Sequence, residues 1–226
     1  QDRVGRVYPT EGCTPNTVND AVFVRDLYEQ VDKTPRLFSL PLLWDKKKQT
    51  IVSNESADIL RTFNSGFRQL VPSDVDLVPA GLEKELDEAN EGIVAEVGRA
   101  FGKIMFADDE SAKAEAKAFA RATFDKLDAV LAAKRYLVGD AITEADVRLF
   151  HTLFRIDAYL PRDSQAVLTE RANIVGFLRD LYQTHGLKDT INWTLVKIGL
   201  VNRNPNAAPA EGPYVDYDAP HDRDKL

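Results

Sequence analysis

Residues 37–43 read Leu-Phe-Ser-Leu-Pro-Leu-Leu, an apolar run with a proline inside it. Proline has no N–H to give to a sheet ladder, so a strand that contains one must carry it at its start or on an edge. The run predicts a strand, then a polar hairpin turn at Lys46-Lys47-Lys48 and a short return strand over 50–53. Ser53 or Asn54 then stands where it can cap a helix whose apolar positions Ile59, Leu60 and Phe63 recur at helical spacing. Pro41 fits if the Leu40–Pro41 bond is cis at the strand start, which leaves the backbone of Leu40 free to pair with a bound peptide. Glu55 and Ser56 fall at the helix N-terminus, where free N–H groups and the helix dipole favour a carboxylate ligand. An ordinary edge hairpin followed by a capped helix explains the same residues without a ligand.

The rest of the chain is helical in pattern. A first helix is expected from Asn19-Asp20, with Val22, Phe23, Leu27 and Val31 on one face and Pro35 after its end. Residues 67–80 hold two prolines and read as a linker. From Gly81 onward Leu82, Leu86, Ala89, Ile93 and Val97 recur at three- and four-residue spacing. Asp108-Asp109-Glu110-Ser111 breaks that helix and opens another with Phe119, Phe124, Leu127, Val130 and Leu131 as its buried stripe. Lys134-Arg135 and Gly139 mark its end. Thr143-Glu144-Ala145-Asp146 predicts a capping box, flanked by the staple pair Ile142 and Val147, with Phe150, Leu153 and Phe154 turned inward. A final long helix over 172–183 presents Ile174, Phe177, Leu178 and Leu181. The division expected is 1–66, a linker at 67–80, an all-helical region at 81–200 and an extended tail at 201–226, which either wraps the body through Tyr214 and Tyr217 or is loose. The fold class is α+β to mostly α.

Composition narrows the function. A net charge of −7 argues against nucleic acid or an anionic membrane as the main partner. No stretch reaches the roughly 18 apolar residues of a membrane span. The single cysteine, Cys13, excludes an internal disulfide framework and a multi-cysteine metal site. His151, His185 and His221 lack metal-ligand spacing, so no metal is expected. The chain starts at Gln1 and its one methionine is Met105. It reads as a processed mature protein, in a mitochondrion or plastid after presequence removal and otherwise cytoplasmic, or as a piece of a longer one.

The Leu-Val-Gly-Asp at 137–140 followed by the capping box resembles the helical domain of glutathione transferases. More narrowly, Leu40-Pro41-Leu42-Leu43-Trp44-Asp45-Lys46-Lys47, Ile51-Val52-Ser53-Asn54-Glu55-Ser56, Ala145-Asp146-Val147-Arg148-Leu149-Phe150 and Pro220-His221-Asp222-Arg223 resemble the glutathionyl-hydroquinone reductases, the xi class of that superfamily. The resemblance covers nearly the whole chain. It implies a thioredoxin-like N-terminal region, here partial, an all-helical C-terminal domain, glutathione as ligand and a homodimer. It matches Arg36, Leu40, Pro41, Glu55 and Ser56 to the glutathione site, with Glu55 and Ser56 at the γ-glutamyl end and Leu40 on the cysteinyl backbone. Tyr159 could face an aromatic substrate, although a tyrosine at the edge of a core is the commoner case.

The departures bear on activity. The family's nucleophile lies in a Cys-Pro-Trp-Ala motif and forms a mixed disulfide with glutathione. That motif is absent from these 226 residues, and Cys13 in Gly-Cys-Thr-Pro is a weak substitute. Tyrosines expected near the aromatic substrate are replaced within Asp76-Leu77-Val78-Pro79 and Gly98-Arg99-Ala100-Phe101-Gly102-Lys103. Two readings follow. One is a non-catalytic accessory subunit that keeps the fold and joins other protein subunits. The alternative is a glutathione-dependent reductase of glutathionyl-hydroquinones whose catalytic segment is missing from this sequence.

Overall fold

The computed structural model describes residues 21–203 and 210–226. The chain divides into two compact units, Gln1–Val75 and Asp76–Leu226. Cys13, Asn19 and Asp20 lie outside the described residues.

In the first unit, α1 spans Val24–Val31. Its entry is set by the Asp26 carboxylate, which accepts the N–H groups of Val22 (2.9 Å) and Phe23 (2.8 Å). The helix therefore starts past the expected Val22 and Phe23, and Tyr28, which the expected stripe omitted, is its buried residue. Strand β1 (Leu43–Asp45) pairs antiparallel with β2 (Thr50–Ser53), Trp44 opposite Ile51. Between them the Asp45 carboxylate accepts the N–H groups of Lys47 and Lys48, at 2.9 and 2.8 Å, and fixes the turn. The strand predicted over 37–43 is thus shorter than its apolar run. The pairing ends at Leu43 opposite Ser53, because beyond Ser53 the chain turns into a helix and offers no ladder to residues 37–42. Leu37, 90% exposed, lies in that unpaired segment. Helix α2 spans Ser56–Ser65, and its N-cap is Glu55, not Ser53 or Asn54. Ser53 acts one step earlier, its Oγ accepting the Glu55 N–H at 3.1 Å, while the Asn54 side chain is committed elsewhere.

The second unit is helical. α3 (Glu83–Ala89) runs through one wide turn (Asn90–Val94) into α4 (Ala95–Phe106). The turn carries Asn90 inward, where its amide donates to the fully buried Glu144 at 3.1 Å. α5 (Glu110–Ala133) is capped by Asp109, which accepts the Ala112 N–H at 2.7 Å. Phe124, Leu127 and Leu131 form its buried stripe as expected, but Val130 points outward, one position off the stripe. α6 (Glu144–Tyr159) opens on the predicted capping box. Asp146 accepts from the Thr143 N–H (2.9 Å), the Thr143 hydroxyl (2.7 Å) and the Leu137 N–H (2.8 Å), so one buried carboxylate ties the helix start to the preceding loop. After the short α7 (Ala166–Thr169) comes α8 (Ala172–Gln183), with Ile174, Phe177, Leu178 and Leu181 inside. Its N-terminal amides at Asn173 and Ile174 donate to Asp128 of α5, at 2.9 and 3.0 Å.

α8 is not the final helix: α9 follows over Trp193–Arg203. Trp193, at the start of α9, packs on the tail, its ring 5.2 Å from that of Tyr217. The tail from 210 onward wraps the helices. The fully buried Asp157 of α6 accepts the N–H groups of Tyr214 (3.1 Å) and Val215 (3.3 Å) and the Tyr217 hydroxyl (3.0 Å). Further on, Arg223, 4% exposed, inserts its guanidinium at the end of α5, donating to the carbonyls of Leu131 (2.9 Å), Lys134 and Arg135 (2.7 Å). Those carbonyls have no partner within the helix, and a cation suits that end of the dipole. No helix among the described residues is long and apolar enough to cross a membrane.

Candidate functional site

Ser39 is the hinge pin of the candidate site. Its carbonyl accepts the Tyr28 hydroxyl of α1 at 3.0 Å, and its hydroxyl accepts the Asn54 amide at 2.9 Å. The residue before Leu40 is therefore fastened to the residue before Glu55. That clamp sets the Leu40–Pro41 segment beside the start of α2. The Leu40–Pro41 peptide is cis, and Leu40, 62% exposed, sits in the unpaired segment before β1. Glu55 and Ser56 are exposed at the first turn of α2, Glu55 in extended conformation and Ser56 the first helical residue. The free amides of such a turn attract a carboxylate, while the Glu55 side chain can accept from an ammonium group. A zwitterionic end of a peptide carries both. Four of the predicted residues, Leu40, Pro41, Glu55 and Ser56, are thus gathered at one place.

Arg36 is held three residues upstream. Its guanidinium pairs with the Asp32 carboxylate and donates to the Thr34 carbonyl at 3.3 Å. Tyr159 belongs to the second unit, where its ring stacks on Phe101 with centroids 5.9 Å apart and Arg155 lies over both rings. Its hydroxyl donates to the Val196 carbonyl of α9 at 2.8 Å, a structural link. Tyr28, Ser39 and Asn54 were missed as site residues. The available signal was Ser39 itself, a polar residue interrupting an apolar run.

The acids with shifted pKa belong to the second unit. Burial pushes the Asp146 and Asp157 carboxyls up, and the hydrogen bonds each accepts pull the other way. Burial also holds the Tyr217 phenol well above its ordinary value, helped by the Asp157 charge. Asp146 ties α6 to the loop before it, and Asp157 with Tyr217 holds the tail on α6. Among the described residues no group of three or more His, Cys, Asp or Glu side chains is placed to hold a metal ion.

A hairpin entered through a cis-proline, an exposed helix start and a helical unit opened by a capping box fit a glutathione-transferase-like fold. The family model for the glutathione S-transferase C-terminal domain matches residues 110–180. The chain is 36% identical to the glutathionyl-hydroquinone reductase YqjG of Escherichia coli (strain K12), over 94% of this chain and 67% of that protein. The glutathione-bound structure of YqjG superposes with a TM-score of 0.84 at 35% identity, covering 96% of this chain and 73% of the other. The xi-class transferase from Natrialba magadii gives 0.85 at 34% identity, covering 96% and 69%. The chain belongs to the glutathionyl-hydroquinone reductase, or xi-class glutathione transferase, family. It spans 67% of the length of YqjG and between 43% and 66% of the other curated relatives it matches.

Proposed function

We propose that this chain binds glutathione through Leu40, Glu55 and Ser56 and serves the glutathione-dependent reduction of glutathionyl-hydroquinones, a thiol transfer. The observation that carries the reading is the Ser39 clamp, which brings a free backbone segment and a helix N-terminus together in a chain whose relatives are named as reductases and transferases. Those names favour the reductase over the accessory subunit. The Leu40 backbone pairs with the cysteinyl residue of glutathione. Ser56 receives the γ-glutamyl carboxylate on its N–H and hydroxyl, and Glu55 receives the ammonium group. Arg36, once turned from Asp32, is the cation for the glycyl carboxylate.

In the reaction a thiolate attacks the sulfur of the conjugate, the sulfur–carbon bond breaks, and the aromatic carbon takes a proton. This leaves a mixed disulfide between the first thiol and glutathione; a free glutathione thiolate attacks its glutathionyl sulfur, the first thiolate leaves, and oxidised glutathione is released. The described residues hold no cysteine, and they are assigned binding and orientation of the tripeptide. The functional assembly is a homodimer, as the family resemblance implies.

The test is calorimetric titration of the chain with glutathione, beside an assay of hydroquinone release from a glutathionyl-hydroquinone. Saturable binding that weakens about tenfold in Glu55→Gln, the scale of one lost charge-assisted hydrogen bond, is expected. Absence of saturable binding in the wild-type chain would sink the reading. Turnover that survives Cys13→Ser would place the attacking sulfur elsewhere than Cys13.

A further inference from the structure

A second concave surface lies wholly within the helical unit, between the end of α4, the first turns of α5 and the loop that leads into α7. It is a cleft of about 480 Å³, within the size range of small-molecule sites. Its floor is aliphatic: Ala116, Ala120, Leu160 and Val167, all nearly or fully buried, with Ile104 at the side. No aromatic ring among the described residues lines it, in contrast to the stacked Phe101 and Tyr159. A flat quinone-type ring would find no stacking partner here, whereas a flexible alkyl chain would be well matched.

One rim carries two lysines a helical turn apart, Lys113 and Lys117. Lys113 is neutralised by Glu110, at 2.7 Å. Lys117 is half-buried, and its ammonium group donates only to the Asp163 main-chain carbonyl, at 3.4 Å. It has no carboxylate partner among the described residues. The Asp163 carboxylate is turned aside, accepting from the Ser164 hydroxyl at 3.0 Å. Such an ammonium at the edge of an aliphatic trough is the complement of an anionic head on an aliphatic chain.

We infer that this cleft binds a medium-chain aliphatic carboxylate, the chain lying over Ala116, Ala120, Leu160 and Val167 and the head group on Lys117. The lining shares no residue with the glutathione cluster, and its occupant is a ligand other than the conjugate. Asp163 opposes the head group through its charge and limits the affinity.

Decanoate, decanol and decyltrimethylammonium serve as probes, titrated into the full chain and followed by methyl NMR. The expected result is saturable binding of decanoate, about tenfold tighter than either other probe, with shifts confined to Ile104, Leu160, Val167 and the alanines of α5. Lys117→Gln should weaken decanoate about tenfold and leave decanol unchanged, Lys117→Arg should retain it, and Asp163→Asn should tighten it about threefold, in keeping with single charge-assisted contacts at a surface. Equal binding of the three probes, shifts elsewhere, or indifference to Lys117→Gln in a chain with an unchanged melting temperature would each overturn the inference. Decanoate-dependent dimerisation with shifts on Phe106 and α9 would overturn it as well.

Discussion

Replacing Arg223 by Met tests how the tail stabilises the helical unit. The substitution keeps an unbranched stem in the space against Gly176 and Phe177, where the arginine Cδ lies 3.4 Å from an ideal Cβ built on Gly176. It removes the donor to the carbonyls of Leu131, Lys134 and Arg135. Hydrogen bonds from a charged donor contribute about 1.5–3 kcal/mol each, which gives a gross loss of several kcal/mol. Two effects offset it. Burial already disfavours this guanidinium, lowering its pKa, and the like charge of Arg135 is close by. Asp180 keeps its bidentate pair with Arg135, at 2.9 Å for both contacts, so no carboxylate is stranded. The net cost is about 3 kcal/mol, in the range for breaking a buried charged network. For a unit of this size each kcal/mol is about 2–4 °C, so the melting temperature should fall by ~6–12 °C. Far-ultraviolet circular dichroism reads the helices, and Trp193 emission in a Trp44→Phe background reads the tail contact. Arg223→Lys should fall between wild type and Met. A drop of less than about 2 °C in Arg223→Met would refute the reasoning, since the α5 carbonyls would then be equally well served by water.

Two further predictions concern the buried carboxylates. Thr143→Val keeps the branched shape but removes the hydroxyl that donates to Asp146 at 2.7 Å, and should cost about 1–2 kcal/mol in urea unfolding, with Thr143→Ser recovering most of it. Asp157 has its folded-state pKa raised by burial above the ordinary 3.8, so its protonated form favours the fold. That contribution is fully present below the unfolded value and is lost as pH rises through the raised folded value. Relative to Asp157→Asn, the wild-type chain should therefore lose stability as pH climbs through that window and run parallel above it. A difference that grows in the opposite direction would show that the three donors, not desolvation, dominate this group.

The helical unit was legible in the sequence because its signals are local and repeated. Thr143 and Asp146 predict their own box at a separation of three, and Ile174, Phe177, Leu178 and Leu181 announce one face by spacing alone. α9 escaped notice because its apolar residues are spread around the helix, so no stripe marks it. The strand at 37–43 was overextended for a different reason: apolar content shows that residues can pair, whereas pairing needs a neighbour, and β2 ends at Ser53. At the candidate site, Glu55 and Ser56 could be placed from the helix start alone. The Ser39 clamp could not, since it joins residues 11 and 15 positions apart through side chains whose spacing follows no periodic rule.

The Arg223 contact also has a consequence for the order in which the molecule assembles during synthesis. Its guanidinium meets a carbonyl 92 positions earlier, at Leu131. A ribosome emits the core of α5 to α8 well before it emits residue 223, so the emerging helices must persist with the end of α5 uncapped and the Asp157 carboxylate awaiting Tyr214, Val215 and Tyr217. Closure of the unit is therefore a late, long-range event, governed by loop entropy more than by helix propensity. Chains stalled before residue 214 should be held as loosely packed helices that proteases cut readily, and emergence of residues 214–223 should convert them to the resistant form in a single step.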